Sequence, residues 1–310
     1  MLLDPHTRFF LTHELQFRPH YGHGEPLQFI DVDGKLDVRT ILQRSFDAGQ
    51  ARFTLRNQDV FRLTRFEVNE ERNFAAFLFR RGDPKATTQM YEHRETGILR
   101  NADKTDDDLV VVSAHLFVDL RRLPGGPLPR YRAIVEEVPG VSKTYMLQLI
   151  SDLVRAVRYE YDPGRGEPKE TYTLTSLDGV KAERMADAMG DSDIDFIELV
   201  RPPDVEGLDT HGMIPREQRM KLKLKAGVAD KVGLVQRVRN WANDHHWRDL
   251  KVRIDMPDDR SRVVTLARNA DAADVLFVRA KRITVETALP ACRDDISQEL
   301  LGKALAEFPA

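Results

Sequence analysis

The feature that most constrains the fold is a series of short segments with two-residue alternation, between which only a few segments have helical spacing. Arg52–Arg56 and Val60–Val68 alternate apolar and charged residues and are joined by residues 57–59. Because successive side chains of a β-strand point to opposite faces, these segments predict an antiparallel pair with one face in water. Phe74–Phe79 and Leu109–Leu120 are richer in apolar residues, which is typical of central strands.

The segments with helical spacing are interspersed among these strands. Ser142–Val157 places Tyr145, Leu149 and Leu153 on one face, and Ser142 can accept a hydrogen bond from an amide of the first turn. Similar spacing predicts helices over Leu36–Gly49, Val180–Met189, Asp230–Asn243 and Asp295–Phe308. Strands and helices follow one another without a regular strand–helix–strand rhythm. This order predicts an α+β fold with mixed, largely antiparallel sheets and packed helices.

Proline and glycine clusters suggest where the chain divides. A length of 310 residues predicts about two domains. Clusters at Pro124–Pro129 and Arg201–Gly212 favour turns and exposed connections, and we take them as borders between segments. They predict an N-terminal α+β region over residues 1–125, a central α+β region over 126–212 and a basic C-terminal α+β region over 213–310.

The composition predicts a cytoplasmic protein without a cofactor. No apolar run approaches the roughly 18–20 residues that cross a bilayer, and the N-terminus lacks the features of a secretory signal. Cys292 is the single cysteine, so no intramolecular disulfide can form. No glycine loop of the phosphate-binding type follows a strand, and no set of residues has diagnostic metal-ligand or catalytic spacing.

Charge is distributed unevenly along a chain whose net charge is -3. Between Met213 and Arg262 there are thirteen Lys and Arg against seven Asp and Glu. Within this segment Arg219–Lys225 alternates cationic and apolar residues without a break, so one face of a strand carries four cations. Such a row matches the backbone of a polyanion better than a compact substrate. The predicted DNA-binding residues are Arg219, Lys221, Lys223, Lys225, Arg237, Arg239, Lys251 and Arg253.

Two other functions remain open from the residues alone. Clustered carboxylates can hold magnesium and orient water, and Asp191, Asp193, Asp195 and Glu198 lie close together in sequence. They are compatible with a metal-dependent nuclease or another hydrolase, although a solvated turn before a strand also explains them. Alternatively, the cationic strand face meets an acidic protein surface, or protects the edge of a sheet.

The order of elements over about residues 107–300 carries a resemblance to a known family. The segments that carry it are Asp107-Asp108-Leu109, Leu116-Phe117-Val118-Asp119, the strand around Ile134, the helix entered through Val141-Ser142-Lys143-Thr144, the strand Lys221–Lys225 with the helix after it, and Leu250–Asp255. In these the chain resembles the lambda-type Rex exclusion protein A. The resemblance implies a DNA-binding α+β protein of phage exclusion that self-associates, senses phage replication or recombination intermediates and signals to a small membrane protein partner. It transfers no catalytic residue.

Taken together, charge pattern and resemblance predict a cytoplasmic, homodimeric phage-defence protein that binds DNA through the phosphate backbone with little sequence specificity. The sequence predicts no catalytic residue, no metal ligand, no cofactor and no direct insertion into a membrane.

Overall fold

A computed structural model of the chain contains two compact units. It describes residues 4–21, 24–31, 33–87, 90–102, 105, 107–162, 167–184, 193–201, 217–223, 230–245, 247, 249–255, 261–266, 276–278 and 280–308. The first unit comprises Met1–Val180 and Ala280–Ala310, and the second comprises Lys181–Arg279. The predicted α+β class with largely antiparallel sheets is confirmed.

The first unit holds most of the strands. They are β1 (Thr7–Pro19), β2 (Arg52–Thr54), β3 (Val60–Asn69), β4 (Phe74–Asp83), β5 (Met90–Glu92), β6 (Leu99–Asn101), β7 (Val110–Arg122), β8 (Arg130–Glu137), β9 (Tyr159–Tyr161), β10 (Lys169–Thr171), β11 (Thr173–Gly179) and β18 (Ala280–Thr284). The helices described in this unit are α1 (Val38–Asp47), α2 (Lys143–Arg155) and α4 (Gln298–Glu307).

The second unit is inserted between β11 and β18. Its described elements are β12 (Lys181–Arg184), β13 (Asp193–Arg201), β14 (Gln218–Lys223), α3 (Lys231–Asp244), β15 (Asp249–Asp255), β16 (Ser261–Leu266) and β17 (Leu276–Val278). The helix predicted near Val180–Met189 is wrong for residues 181–184, because these pair with β17 as a strand. Residues 185–189 of that segment lie outside the described residues.

These units divide the chain differently from the three predicted regions. The predicted central region supplies β8 and α2, and both belong to the first unit. The predicted basic region supplies β18 and α4, which also belong to the first unit, because β18 pairs with β1 across more than 260 residues of sequence. Strand pairing between segments that are distant in sequence therefore determines where the chain divides into two units. The proline and glycine clusters do not mark these positions.

An eight-stranded antiparallel sheet forms the centre of the first unit. Its strand order is β11-β1-β8-β7-β4-β3-β2, and β18 pairs with the first half of β1. The predicted central strands Phe74–Phe79 and Leu109–Leu120 correspond to β4 and β7, which are neighbours in the middle of the sheet. The predicted pair Arg52–Arg56 and Val60–Val68 corresponds to β2 and β3 at one edge.

Both faces of β4 are buried, which explains its continuous apolar run. Phe77 and Phe79 point into the core that α1 and α2 cover, whereas Phe74 and Leu78 point into a second core under α4. A strand that is covered on both faces reads as an unbroken hydrophobic segment instead of an alternating one. The helices of the first unit thus enclose the middle of the sheet from both sides.

A buried polar cluster attaches the C-terminal segment to the sheet. Arg8 Nε donates to Glu136 Oε1 at 2.9 Å, and His115 Nδ1 lies 2.6 Å from Glu136 Oε2. The amide of Ser297 donates to His115 Nε2 at 3.2 Å, and Ser297 is the N-cap of α4. Because Nε2 accepts this hydrogen bond, the ring proton lies on Nδ1 and is donated to Glu136. The cluster therefore fixes the start of α4 against β7 and β8.

His13 on β1 makes the stability of the first unit depend on pH. Its ring is buried and Nδ1 donates to the carbonyl of Leu11 at 3.0 Å. Burial lowers the pKa of His13 below its ordinary value of 6.5, and the charge of Lys143 lowers it further. The unfolded chain therefore binds a proton near pH 6.5, whereas the native chain does so at a lower pH.

We expect His13→Gln to flatten the pH dependence of unfolding on the acidic side. In the native sequence the stability due to neutral His13 is fully present above pH 6.5 and is lost as pH falls through the native pKa, by at most about 1.4 kcal/mol per pH unit. Urea unfolding between pH 7.5 and about 5 measures this slope. His93→Gln, at an exposed position, is the control. An unchanged slope in His13→Gln would contradict the assignment.

Candidate nucleic-acid interface

The predicted DNA-binding residues fall in a four-stranded antiparallel sheet of the second unit, with strand order β14-β13-β15-β16. Ile197, Leu199, Leu250 and Val252 alternate with more polar neighbours on β13 and β15 and are fully or almost fully buried. These four side chains lie on one face, because directly paired residues of antiparallel strands project to the same side. α3 contacts both strands and buries Val235, so it covers this apolar face.

The opposite face carries most of the predicted residues. Glu198 of β13 pairs with Lys221 of β14 on one side and with Lys251 of β15 on the other. One step along the sheet, Phe196 pairs with Lys223 and with Arg253. We name this surface the cationic face; its members are Phe196, Glu198, Arg219, Lys221, Lys223, Lys251 and Arg253.

The alternation predicted for Arg219–Lys225 is confirmed over residues 219–223. Arg219, Lys221 and Lys223 are exposed, whereas Met220 and Leu222 between them are half-buried. Lys225 lies outside the described residues. β14 is therefore a strand at the edge of the sheet with one cationic side.

The arginines of the cationic face are held by acidic neighbours. Arg219 donates through Nε to Glu217 Oε1 at 2.8 Å, and its Nη1 lies 3.3 Å from Glu198 Oε1. The hydrogen bond and charge of Glu217, followed by the charge of Glu198, raise the pKa of Arg219. Arg253 Nε lies 3.5 Å from Asp195 Oδ2. Much of the charge of both guanidinium groups is therefore balanced within the unit.

The lysines are the available cations of this surface. Lys221 Nζ lies 3.7 Å from the centroid of the Phe196 ring, and Lys223 is exposed at the edge of the sheet. Lys251 is half-buried on β15. Within the described ranges, none of these three lysines makes an ion pair with a carboxylate, although each pairs across the sheet with Glu198 or Phe196.

Two predicted residues do not join the cationic face, because both lie on α3. Arg239 is buried, with 6% of its surface exposed, so it cannot widen a binding surface. Arg237 is exposed and pairs with Asp230 at 3.3 Å. Since α3 covers the apolar side of the sheet, Arg237 belongs to the side away from Lys221 and Lys223. Helical periodicity alone could not show which side of the sheet α3 would cover.

Phe196 and Glu198 were not among the predicted DNA-binding residues, yet they occupy the middle of the cationic face. Their positions follow from two-residue periodicity once β13 is known to lie between β14 and β15. The strand order is not visible in the sequence. The signal that could have found them is that Phe196 and Glu198 are two residues apart, so their side chains project to the same face of a strand. Glu198 reduces the charge of the surface, whereas the ring of Phe196 supports Lys221.

The carboxylate cluster behind the nuclease alternative is engaged with arginines where the structure describes it. Asp195 pairs with Arg253 and Glu198 pairs with Arg219. Asp191 lies outside the described residues, as does the side chain of Asp193. Among the side chains that are described, no group of three or more His, Cys, Asp or Glu residues could hold a metal ion.

Comparison of the chain with models of known protein families, with curated proteins and with solved structures found no match. The resemblance to the lambda-type Rex exclusion protein A therefore stays a prediction. In the described part of the chain, no helix combines the length and apolar character that spanning a bilayer requires.

Proposed function

We propose that the second unit binds DNA, with the cationic face against the phosphate backbone and with little sequence specificity. The observation that carries the proposal is that Lys221, Lys223 and Lys251 share one face of a sheet and, in the described part of the chain, lack ion-pair partners. Lysine is a point charge on a flexible stem, which suits contacts to phosphate oxygens whose position varies.

The spacing of these lysines suits an extended polyanion. Lys221 and Lys223 are alternate residues of one strand, about 7 Å apart, and Lys251 lies two strands from Lys221, about 10 Å away. Each phosphate that a lysine neutralises releases condensed counterions, so such binding weakens steeply with salt. Contacts to phosphates carry no direct sequence information. Low sequence specificity follows from this type of contact.

The hydrolase alternative receives less support, because the described carboxylates of the cluster face arginines. Binding of an acidic protein surface remains compatible with the three lysines, and the experiment below separates it from DNA binding. The phage-exclusion role, the homodimer and the small membrane partner rest on the resemblance alone and are proposed with it. None of them is needed for the DNA-binding proposal.

Neutralising the three lysines together should weaken DNA binding and reduce its dependence on salt. For Lys221→Gln, Lys223→Gln and Lys251→Gln combined, loss of three phosphate contacts lowers the slope of log K against log salt by about 2 to 3 for duplex DNA. Fluorescence anisotropy of a labelled duplex at about 50 and 200 mM salt measures both quantities. A labelled single strand of the same length shows which form of DNA binds more tightly.

A matched control carries the same change of charge elsewhere. Lys85, Lys169 and Arg237 are exposed, and neutralising these three should leave affinity and slope nearly unchanged. Glu198→Gln changes the charge in the opposite direction. It removes a carboxylate from the middle of the cationic face and should strengthen DNA binding. If both triple variants lose affinity equally, general charge explains binding and the proposed surface is wrong. If the native chain binds no DNA, an acidic protein partner becomes the better explanation.

A further inference from the structure

Three arginines lie directly opposite one another across the edge of the large sheet in the first unit. Arg52 of β2 pairs with Arg62 of β3, and Arg62 pairs with Arg80 of β4. Directly paired residues of antiparallel strands project to the same face, at Cβ separations of about 5 Å. We name this row the arginine ladder. It belongs to the first unit, whereas the cationic face belongs to the second.

Without a bound ligand, the arginine ladder lowers the stability of the sheet edge. Like charges directly opposite each other destabilise an antiparallel pair, and the ladder contains two such pairs that share Arg62. Within the residues that the structure describes, Arg52 and Arg62 make no ion pair. Arg80 pairs with Asp294 at 2.8 Å, but the side chain of Asp294 is 90% exposed. Among the described residues, Asp294 is thus the one carboxylate that pairs with an arginine of the ladder, and it is largely solvated.

One donor of Arg80 also lacks an acceptor. Its Nη2 donates to the carbonyl of Arg293 at 2.9 Å and to Asp294, whereas its Nε is buried and has no hydrogen-bond partner in the described chain. A buried donor without an acceptor costs free energy. The unsatisfied Nε therefore adds to the cost of holding Arg80 in the ladder.

We propose that the arginine ladder is a binding site for phosphate groups of an extended anion. Guanidinium groups bind phosphate oxygens in a bidentate manner, and a row of them suits several phosphates in succession. A nucleic-acid strand and an inorganic polyphosphate both present this chemistry. The bound phosphates relieve the repulsion between the arginines, so the ligand stabilises the sheet edge that it contacts.

The test is Arg62→Gln, made in the chain whose cationic face already carries Lys221→Gln, Lys223→Gln and Lys251→Gln. In that background any remaining anion binding is not due to those three lysines, so failure of either proposal can be recognised separately. Titration calorimetry with tripolyphosphate and with a short single-stranded oligonucleotide measures affinity for the two sources of phosphate. Thermal unfolding at low salt measures the stability of the ligand-free chain.

We expect Arg62→Gln to weaken binding about tenfold or more, since charge-assisted hydrogen bonds are lost. In the same variant the ligand-free Tm should rise by roughly 1–3 °C, because two like-charge pairs are removed. An arginine with a purely structural role would lower the Tm instead. Arg94→Gln, at an exposed position between β5 and β6, is the matched control and should change neither quantity appreciably.

The two ligands distinguish the source of the phosphate. Weaker binding of both supports a general phosphate site, and weaker binding of the oligonucleotide alone supports a site for nucleic acid. Unchanged affinity for both, or no binding of either before Arg62 is changed, would overturn the proposal. A loss of affinity together with a lower Tm would also overturn it, because Arg62 would then act through folding.

Discussion

Glu136→Gln should lower the free energy of unfolding of the first unit by about 3–5 kcal/mol. Glu136 accepts from Arg8 and from His115, and the side chains of Arg8 and Glu136 are 3% and 4% exposed. Glutamine keeps the volume but removes the charge, so the Arg8 guanidinium stays buried without a counter-charge. Breaking a buried pair in this way costs more than the intact pair contributes.

Urea unfolding followed by far-ultraviolet circular dichroism measures this effect, with tryptophan emission as an internal reference. Trp241 and Trp247 are the two tryptophans, and both belong to the second unit. We therefore expect the dichroism transition of the first unit to move to lower urea while the tryptophan transition stays near its original midpoint.

The pair Arg130–Glu14 provides a matched control on the same two strands. Its atoms lie 3.3 Å apart and its side chains are about one-third exposed, so Glu14→Gln should cost at most about 1 kcal/mol. Adding Arg8→Met to Glu136→Gln should recover part of the lost stability, since no unpaired charge then remains and the glutamine carbonyl can still accept from His115. Equal losses in Glu136→Gln and Glu14→Gln would show that water reaches the buried pair.

Local periodicity predicted the elements well where each segment is amphipathic or fully apolar. The helix predicted from Ser142 is α2, and Ser142 Oγ accepts from the amide of Tyr145 as expected. Asp230 likewise caps α3 by accepting from the amide of Gly233. These features depend on a few neighbouring residues, which is why a single sequence reveals them.

The arrangement of the elements could not be predicted in the same way. β1 pairs with β8, β11 and β18, and nothing in the residues of Thr7–Pro19 identifies these partners. The division at Val180 and Ala280 follows from the pairing of β18 with β1, so the predicted borders missed it. Pairing over long sequence separations depends on the packing of the whole sheet, because alternation fits many partners equally.

The candidate site shows the same contrast between local and long-range information. Alternation placed Arg219, Lys221 and Lys223 on one side of a strand, as the structure has them. It could not show that Glu198 would lie beside Lys221, or that α3 would keep Arg237 on the other side of the sheet. The arginine ladder could not be predicted for the same reason, since Arg52, Arg62 and Arg80 belong to three different strands.

Phe77→Ala should destabilise the first unit by about 3–5 kcal/mol. The ring is fully buried in the middle of β4 and lies among Phe29, Phe66 and Phe79, at centroid separations of 6.3, 4.8 and 6.0 Å. The truncation removes buried apolar surface and leaves a cavity, which the neighbouring rings cannot fill without leaving favourable rotamers. Lost contacts between aromatic rings add to this cost.

The dichroism transition in urea again measures the change, and tryptophan emission again reports on the second unit. Phe53→Ala is the control, because Phe53 lies on edge strand β2, is half-buried and leaves its neighbours free to approach. It should cost clearly less than Phe77→Ala, since a position at the edge of a sheet relaxes around a small side chain more easily than one between two covered faces. If the two losses were equal, β4 would not be the centre of the core. A downward shift of the tryptophan transition in Phe77→Ala would instead show that the second unit depends on the first for its stability.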